Sequence, residues 1–236
     1  MHNVPCQSFG IFCILTNLEN LYGTKIYYRC NECGAEYSPT DVMYVCPACA
    51  SKTNDNEPPR GILKTIYNYD SLKRKTNFND LMQKGFLSLL PIKSLASLPY
   101  LRTGNTPLYE ITELDGRTRD YSIFLKDDSQ NPTFSFKDRA SAIVSAYAKE
   151  NGINTIVAAS TGNAGSSLAG ICAAQKQKAI IMVPATAPLA KLTQIVMYGA
   201  TIVPVKGTYD DAFDLSIKAT ENLGWYNRNT AFNPLT

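Results

Sequence analysis

From residue 155 onward, short unbroken apolar runs alternate with longer amphipathic stretches. Thr155–Ala159, Lys178–Pro184 and Thr201–Val205 are apolar and rich in β-branched residues, the pattern of strands buried on both faces. Between them, residues 164–175, 188–198 and Tyr209–Leu223 space their apolar positions as helices do, the second with Pro188 at its start. Residues 225–229 read as a short fourth strand. Such βαβ alternation predicts an α/β fold: a parallel sheet covered by helices on both faces. The segment after Ala159 then falls at the carboxyl end of its strand, where open α/β sheets bind ligands.

The upstream pattern is less regular. Residues 61–69 alternate as a strand, residues 51–60 are polar and proline-paired like a linker, and residues 76–98 mix Leu, Pro and Ser as one or two short helices would. The apolar run at residues 9–15 has the size of a short signal core. No Lys or Arg precedes it and no cleavage site follows, so it is expected to be a strand or an extension packed on the core. His2 reads as an exposed terminal residue, and Cys6 and Cys13 have no readable role.

Four cysteines form two pairs, Cys30-x2-Cys33 and Cys46-x2-Cys49, with twelve residues between them. Each pair is followed by a small residue, Gly34 or Ala50, and residues 36–45 read as a short hairpin. The spacing predicts a zinc ribbon whose four thiolates close around a structural Zn²⁺. A disulfide pair is the alternative, but nothing else in the chain points to an oxidising compartment. Ribbons of this kind also occur in nucleic-acid-binding proteins. Here Glu32, Glu36 and Asp41 offset Arg29 among Tyr27, Tyr28, Tyr37 and Tyr44, leaving no basic face.

Composition narrows the classes further. With 236 residues, 44% of them hydrophobic, the chain has material for two packing units. Charged residues make up 18%, below the usual ~25%, and the formal charge is only +3. That balance gives no case for a nucleic-acid or membrane surface, and no apolar run reaches the length of about 18 residues that a spanning helix needs. A soluble, cytoplasmic protein is expected.

The candidate chemistry lies in two segments. In Asn131-Pro-Thr-Phe-Ser-Phe-Lys137-Asp-Arg139, a lysine opens an Ala-rich helix, where partial desolvation equips an amine to form a Schiff base with an aldehyde. In Ser160-Thr-Gly-Asn-Ala-Gly165, a polar glycine turn joins strand to helix and aims the N–H groups of residues 162–165 at an anion. This turn is not a dinucleotide fingerprint: the first glycine of G-x-G-x-x-G is missing, and no acidic residue closes the next strand. Asp138 and Arg139 are expected to fix the helix start, Lys126 to be a strand-end surface lysine, and Cys172 to be core.

The order and spacing of these segments, with Gly104-Asn-Thr-Pro-Leu108 and Lys126-Asp-Asp128 upstream, resemble the pyridoxal-phosphate (PLP) enzymes of fold type II, and within them the threonine synthases. The likeness runs from about residue 28 to the end of the chain. It implies that Lys137 carries the cofactor as a Schiff base and then shuttles the proton, that Asn163 bonds the cofactor ring hydroxyl, and that Ser160, Thr161, Gly162 and Ala164 hold the substrate carboxylate. It also implies the three-layer sheet of that fold, a homodimer, and the conversion of O-phosphohomoserine and water to threonine and phosphate. A zinc module precedes the catalytic part in some threonine synthases and in cysteate synthases.

Two departures bear on the substrate. Thr230-Ala231 stands ahead of Asn233-Pro234 where several relatives carry an Asn-Ser pair for substrate phosphate, with no arginine after it, and Phe134 replaces a usual glycine. Serine or threonine dehydration and cysteate synthase-like β-replacement therefore stay open, as does a zinc-ribbon binding protein with a non-catalytic α/β domain. The glycine-rich loop for the cofactor phosphate and the partner of its pyridine nitrogen cannot be assigned, so the chain is expected to be the N-terminal half of a longer enzyme. Its expected domains are 1–52 with the ribbon, 53–139 opening the larger cofactor domain, and 140–236 forming the smaller βαβ domain.

Overall fold

The computed structural model describes residues 25–54 and 57–236, so the apolar run at 9–15, His2, Cys6 and Cys13 lie outside the described residues. The chain forms two units, one running to Pro91 and including residues 231–234, the other spanning residues 92–230 and 235–236. The division falls at 91/92, whereas the expected domain limits stood at 52/53 and 139/140.

In the first unit, β1 (Ile26–Cys30) is the central strand of an antiparallel sheet. It pairs on one edge with β2 (Glu36–Tyr37) and on the other with β3 (Leu63–Tyr67), so Tyr28 lies opposite both Tyr37 and Thr65. Tyr28 is 1% exposed and forms the centre of this small core. Residues 36–45 do not make the hairpin expected of them. Only Glu36–Tyr37 is extended, and it pairs with β1; Ser38 and its neighbours close a turn through the Asp41 N–H to the Ser38 carbonyl, and Val45 bridges Ile62. The turn-forming Ser-Pro-Thr-Asp sequence overrides the local alternation.

A single turn, α1 (Pro47–Ala50), follows Cys46. After β3 come two short helices, α2 (Tyr69–Lys75), capped by the Asn68 side chain, and α3 (Phe78–Gln83), opened by an Asn77/Asp80 capping box. The late segment returns to this unit. Thr65 donates to the Pro234 carbonyl at 2.6 Å, and Tyr44 stacks on Phe232 with ring centroids 4.6 Å apart.

The second unit begins with a hairpin absent from the sequence reading, β4 (Leu108–Leu114) and β5 (Arg117–Lys126). Asp115 and Gly116 both take positive φ, +52° and +68°, as the two central residues of a tight hairpin turn require. Thereafter the alternation follows the expected course: α4 (Lys137–Glu150), β6 (Thr155–Ala159), α5 (Asn163–Gln175), β7 (Lys178–Pro184), α6 (Leu189–Met197), β8 (Thr201–Val205), α7 (Tyr209–Leu223) and β9 (Tyr226–Asn227). The last strand is shorter than the expected 225–229.

These strands form one parallel sheet in the order β8-β7-β6-β9. On one face Val157, Ala159, Ile180 and Met182 pack against Ala212 and Ala219 of α7. On the other, α5 packs on β6 and β7, and α4 packs on α5. Close approach here depends on Gly165, where a Cβ would come within 2.7 Å of the Ser160 carbonyl oxygen. The layers are thus helix, sheet, helix. Chain order reverses between β6 and β9, so the crevice beyond their carboxyl ends is the topological switch point. Among the described residues, no helix is long and apolar enough to cross a membrane.

Candidate active site

The segment leading to Lys137 is held by charge and by a buried carboxylate. Asp138 is fully buried and accepts from both the backbone N–H (2.7 Å) and the hydroxyl (2.5 Å) of Thr133. Its place in the first turn of α4 also sets its charge against the positive end of the helix dipole. Ser135 Oγ accepts from the Lys137 N–H at 3.2 Å. Arg139 grips Asp128 with two bonds, Nε to Oδ2 at 2.9 Å and Nη2 to Oδ1 at 2.7 Å, and the Thr106 hydroxyl donates to the same carboxylate at 2.6 Å. Arg139 and Thr106 together hold the Asp128 carboxyl well below the usual carboxylate range.

Two further contacts bind these loops together. Lys126 donates to the Thr106 carbonyl, and Asn131 Oδ1 accepts the Gly104 N–H at 2.8 Å. The Gly104, Lys126, Asn131 and Arg139 segments are therefore one framework, which sequence spacing alone did not reveal. Asp138 and Arg139 play the structural part expected of them, and Lys126 is the exposed strand-end lysine expected, with its ammonium also tied to the Thr106 carbonyl.

Topology then brings the two candidate segments together. Helices α4 and α5 flank β6 in the chain and both run antiparallel to it, so their N-termini lie at the sheet's carboxyl edge. Ser141 and Ser167, each one turn inside its helix, share a 2.7 Å hydrogen bond and are both fully buried. One turn before them stand Lys137 and Asn163, the first residues of the two helices. The Lys137 ammonium sits 4.5 Å from the centre of the Phe136 ring, a cation–π contact.

At the start of α5, buried Ser160 accepts the Gly162 N–H at 3.2 Å, and the N–H groups of Gly165 and Ser166 turn back to the Gly162 carbonyl. A Cβ on Gly162 would touch nothing within 4 Å, and Asn163 is exposed beside it. Open space, a helix N-terminus and a lysine on the neighbouring helix suit a phosphorylated aldehyde with an amino-acid partner.

Two residues that the sequence reading passed over complete this edge. Asn229 Oδ1 accepts the Ala159 N–H at 2.9 Å while its Nδ2 donates to Ser216 Oγ at 2.7 Å, locking the strand end to β6 and α7. Arg228 is 2% exposed, the largest of the fully buried side chains. Its Nε donates to Ser141 at 3.5 Å and its Nη1 to Thr230 at 3.2 Å, while Nη2 has no partner among the described residues. Burial draws this guanidinium below its ordinary range. A cation and an amide at the end of an apparent strand run give no periodic signal, which is why both residues were missed. Cys172 is core, as expected, and burial pushes its thiol up to about 12.

A separate cluster stands in the first unit. The Sγ atoms of Cys30, Cys33, Cys46 and Cys49 all lie within 4.8 Å of one another, with Cys30–Cys49 at 3.8 Å and Cys33–Cys46 at 3.7 Å. A tetrahedron of 2.3 Å metal–sulfur bonds has edges of about 3.8 Å, whereas a disulfide needs about 2.05 Å. Tyr37 Oη lies 3.0 Å from Cys46 Sγ. Burial alone would raise the Cys46 thiol, but the Tyr37 hydroxyl and the Cys49 N–H hold it down to about 6. Gly61 is required at this site: its φ is +74°, and a Cβ would lie 2.8 Å from that of Cys49.

A parallel sheet with a lysine at the start of one helix and a glycine turn opening the next, both at its switch point, is the architecture of α/β ligand-binding proteins. The family model for "Pyridoxal-phosphate dependent enzyme" matches residues 100–236, and the chain belongs to that family. Its parallel-sheet architecture is that of fold type II, as expected. Similar curated proteins include the threonine synthases of Methanocaldococcus jannaschii, 34% identical over 79% of this chain and 45% of the relative, and of Methanosarcina acetivorans, 33% identical over 80% and 45%. That of Halalkalibacterium halodurans is 36% identical over 59% of this chain and 39% of its own length. The chain spans less than half the length of these relatives.

Proposed function

We propose that the chain forms the lysine-bearing part of a PLP-dependent, threonine synthase-like lyase that converts O-phosphohomoserine and water to threonine and phosphate. One observation carries this reading: the starts of α4 and α5 lie side by side, one turn beyond the Ser141–Ser167 bond, with Lys137 on one and Asn163 on the other. The similarity to curated threonine synthases supports the choice of reaction.

In this reading Lys137 holds the cofactor and, once substrate replaces it there, moves the proton between the substrate's α- and neighbouring carbons. The Asn163 amide bonds the cofactor ring hydroxyl. Ser160, Thr161, Gly162 and Ala164 bind the substrate carboxylate; the Gly162 N–H is already engaged by Ser160 Oγ and the Gly165 N–H by the Gly162 carbonyl, so the backbone donors in this reading are those of Thr161 and Ala164. PLP supplies the electron sink that stabilises negative charge at an amino-acid α-carbon. The framework around Asp128 and Arg139 fixes the lysine's helix, so its amine is positioned before substrate arrives. Residues 53–139 would then belong to the larger cofactor domain and residues 140–236 to the smaller one.

We further propose that Cys30, Cys33, Cys46 and Cys49 hold a structural Zn²⁺, that the protein works in the cytoplasm, and that it forms a homodimer. The thiol separations support the first of these.

The test is to incubate the chain with PLP, reduce with borohydride and map the modified peptide by mass. A stoichiometric adduct at Lys137, lost in Lys137→Ala, is expected; labelling spread over many lysines would refute the cofactor role. Phosphate release from O-phosphohomoserine is the expected reaction in the longer protein. Oxo-acid formation from serine or threonine without phosphate release would replace it with a dehydratase, and sulfite incorporation with a β-replacement enzyme.

A further inference from the structure

A guanidinium stays protonated at any physiological pH, and burying one without a counter-charge is costly. Native structures therefore pair buried arginines with carboxylates or with bound anions. Arg228 has neither among the described residues: its protein partners are two hydroxyls, Ser141 and Thr230, and its Nη2 is unpaired in a side chain 98% removed from solvent. Each buried polar group left unsatisfied in a native protein calls for a reason.

Its position supplies one. Register places Asn227 opposite Val157 and turns it toward α7, where it bonds Ser216 and Thr220. The next residue, Arg228, points to the opposite face and meets Ser141 of α4. Ser141 is one turn inside the helix that Lys137 opens, and its hydrogen-bond partner Ser167 is one turn inside the helix that Asn163 opens. Beneath two adjacent helix N-termini, both positive ends of their dipoles, lies an uncompensated cation. All these charges have one sign. Serine and threonine hydroxyls hold the guanidinium by accepting from it, and so leave its charge available.

We propose that Arg228 is an anion-binding residue of the active site, receiving a tetrahedral oxyanion beside the starts of α4 and α5. This deepens the proposed function and rests on it for the source of the anion, which is the phosphate of an amino-acid substrate or that of the cofactor. Arginine's planar fork suits a phosphate better than a point charge does, and the two hydroxyls pre-set its orientation.

The probe is inorganic phosphate, titrated into the chain by calorimetry and followed by phosphorus NMR. Saturable binding of one phosphate per chain is expected. Arg228→Gln should weaken it at least ten-fold, and Arg228→Lys, which keeps the charge and tests the geometry should the first variant not fold, should weaken it several-fold. Equal affinity in a folded Arg228→Gln protein, or no saturable binding by the unaltered chain, would overturn the proposal.

Repeating the titration after borohydride has fixed the cofactor to Lys137 identifies the source. Persistent binding assigns the site to the substrate's oxyanion, and lost binding assigns it to the cofactor's phosphate. The same adduct separates the two readings. A Lys137 adduct without phosphate binding sinks the anion site alone, whereas phosphate binding without selective labelling of Lys137 sinks the cofactor reading alone.

Discussion

Phe134 sits three residues before the candidate lysine with φ at +63° while its ring is 73% exposed. A bulky side chain in left-handed backbone costs about 1–2 kcal/mol, and an exposed ring recovers little of that. Glycine adopts this conformation freely but gives back about 0.5–1 kcal/mol through the greater freedom of its unfolded chain. Phe134→Gly should therefore stabilise the protein by a net amount of about 0.5–1 kcal/mol, read as a higher urea midpoint at unchanged slope. A lower midpoint would mean that the ring packs on something that repays the strain. Asp128 supports a second prediction. Its folded-state pKa is depressed, first by the hydrogen bond from Arg139 and next by that from Thr106. The stability it contributes is then present above its unfolded pKa of about 3.9 and is lost as pH falls toward the folded value. The stability gap between the unaltered protein and Asp128→Asn should be widest near neutrality and shrink below about pH 4. A gap independent of pH would assign the effect to lost packing.

At the scale of elements, the β4–β5 hairpin contrasts with the parallel sheet behind it. Leu108, Tyr109, Leu114, Tyr121, Phe124 and Leu125 are exposed on it, whereas Ile156, Val157 and Ile181 of β6 and β7 are completely buried. A two-stranded ribbon without a covered face has little beyond its own ladder to hold it. Amide hydrogen exchange is thus expected to be fast across 108–126 and slow across 155–159 and 178–184; equal protection would show that the hairpin is stabilised by something other than its own bonds. The same contrast explains what could be read from sequence. Strands buried on both faces announce themselves as unbroken apolar runs, so β6 and β7 were legible to the residue; β8 was read as buried from its β-branched run, but it is an edge strand with no fully buried residue. In the hairpin, Glu110, Glu113, Arg117, Arg119 and Asp120 interrupt the alternation, and only the Asp115-Gly116 pair carried a signal. For the candidate site, the four cysteines stood out in the sequence by their spacing, and Lys137 and Asn163 by the motifs that carry the family resemblance. Arg228, Asn229 and the Asp128 framework become visible only once strand order and register place them.

At the scale of the whole molecule, the two units draw their stability from different sources. The parallel-sheet unit has a continuous apolar core, with Val157, Ile171, Ile181 and Ile195 fully enclosed. The ribbon unit has a three-stranded sheet of which β2 is only two residues long, and among its most buried side chains are Tyr28, Leu63 and three of the four clustered cysteines. A sheet so small is marginal alone, and a thiolate-bound metal supplies folding free energy to such a domain directly. Four sulfurs at tetrahedral spacing, one of them beside the Tyr37 hydroxyl, would lose their organising charge if the ion were removed. The purified chain should contain one zinc by elemental analysis. Stripping it with a strong chelator should abolish amide protection across 26–67 while leaving that of 155–183 in place, and Cys49→Ser should mimic the chelator. Protection of 26–67 that survives complete metal removal would show that the aromatic core suffices and that the cysteine cluster does not hold the unit together. Loss of protection in both units at once would show that the sheet unit, despite its enclosed core, does not stand on its own.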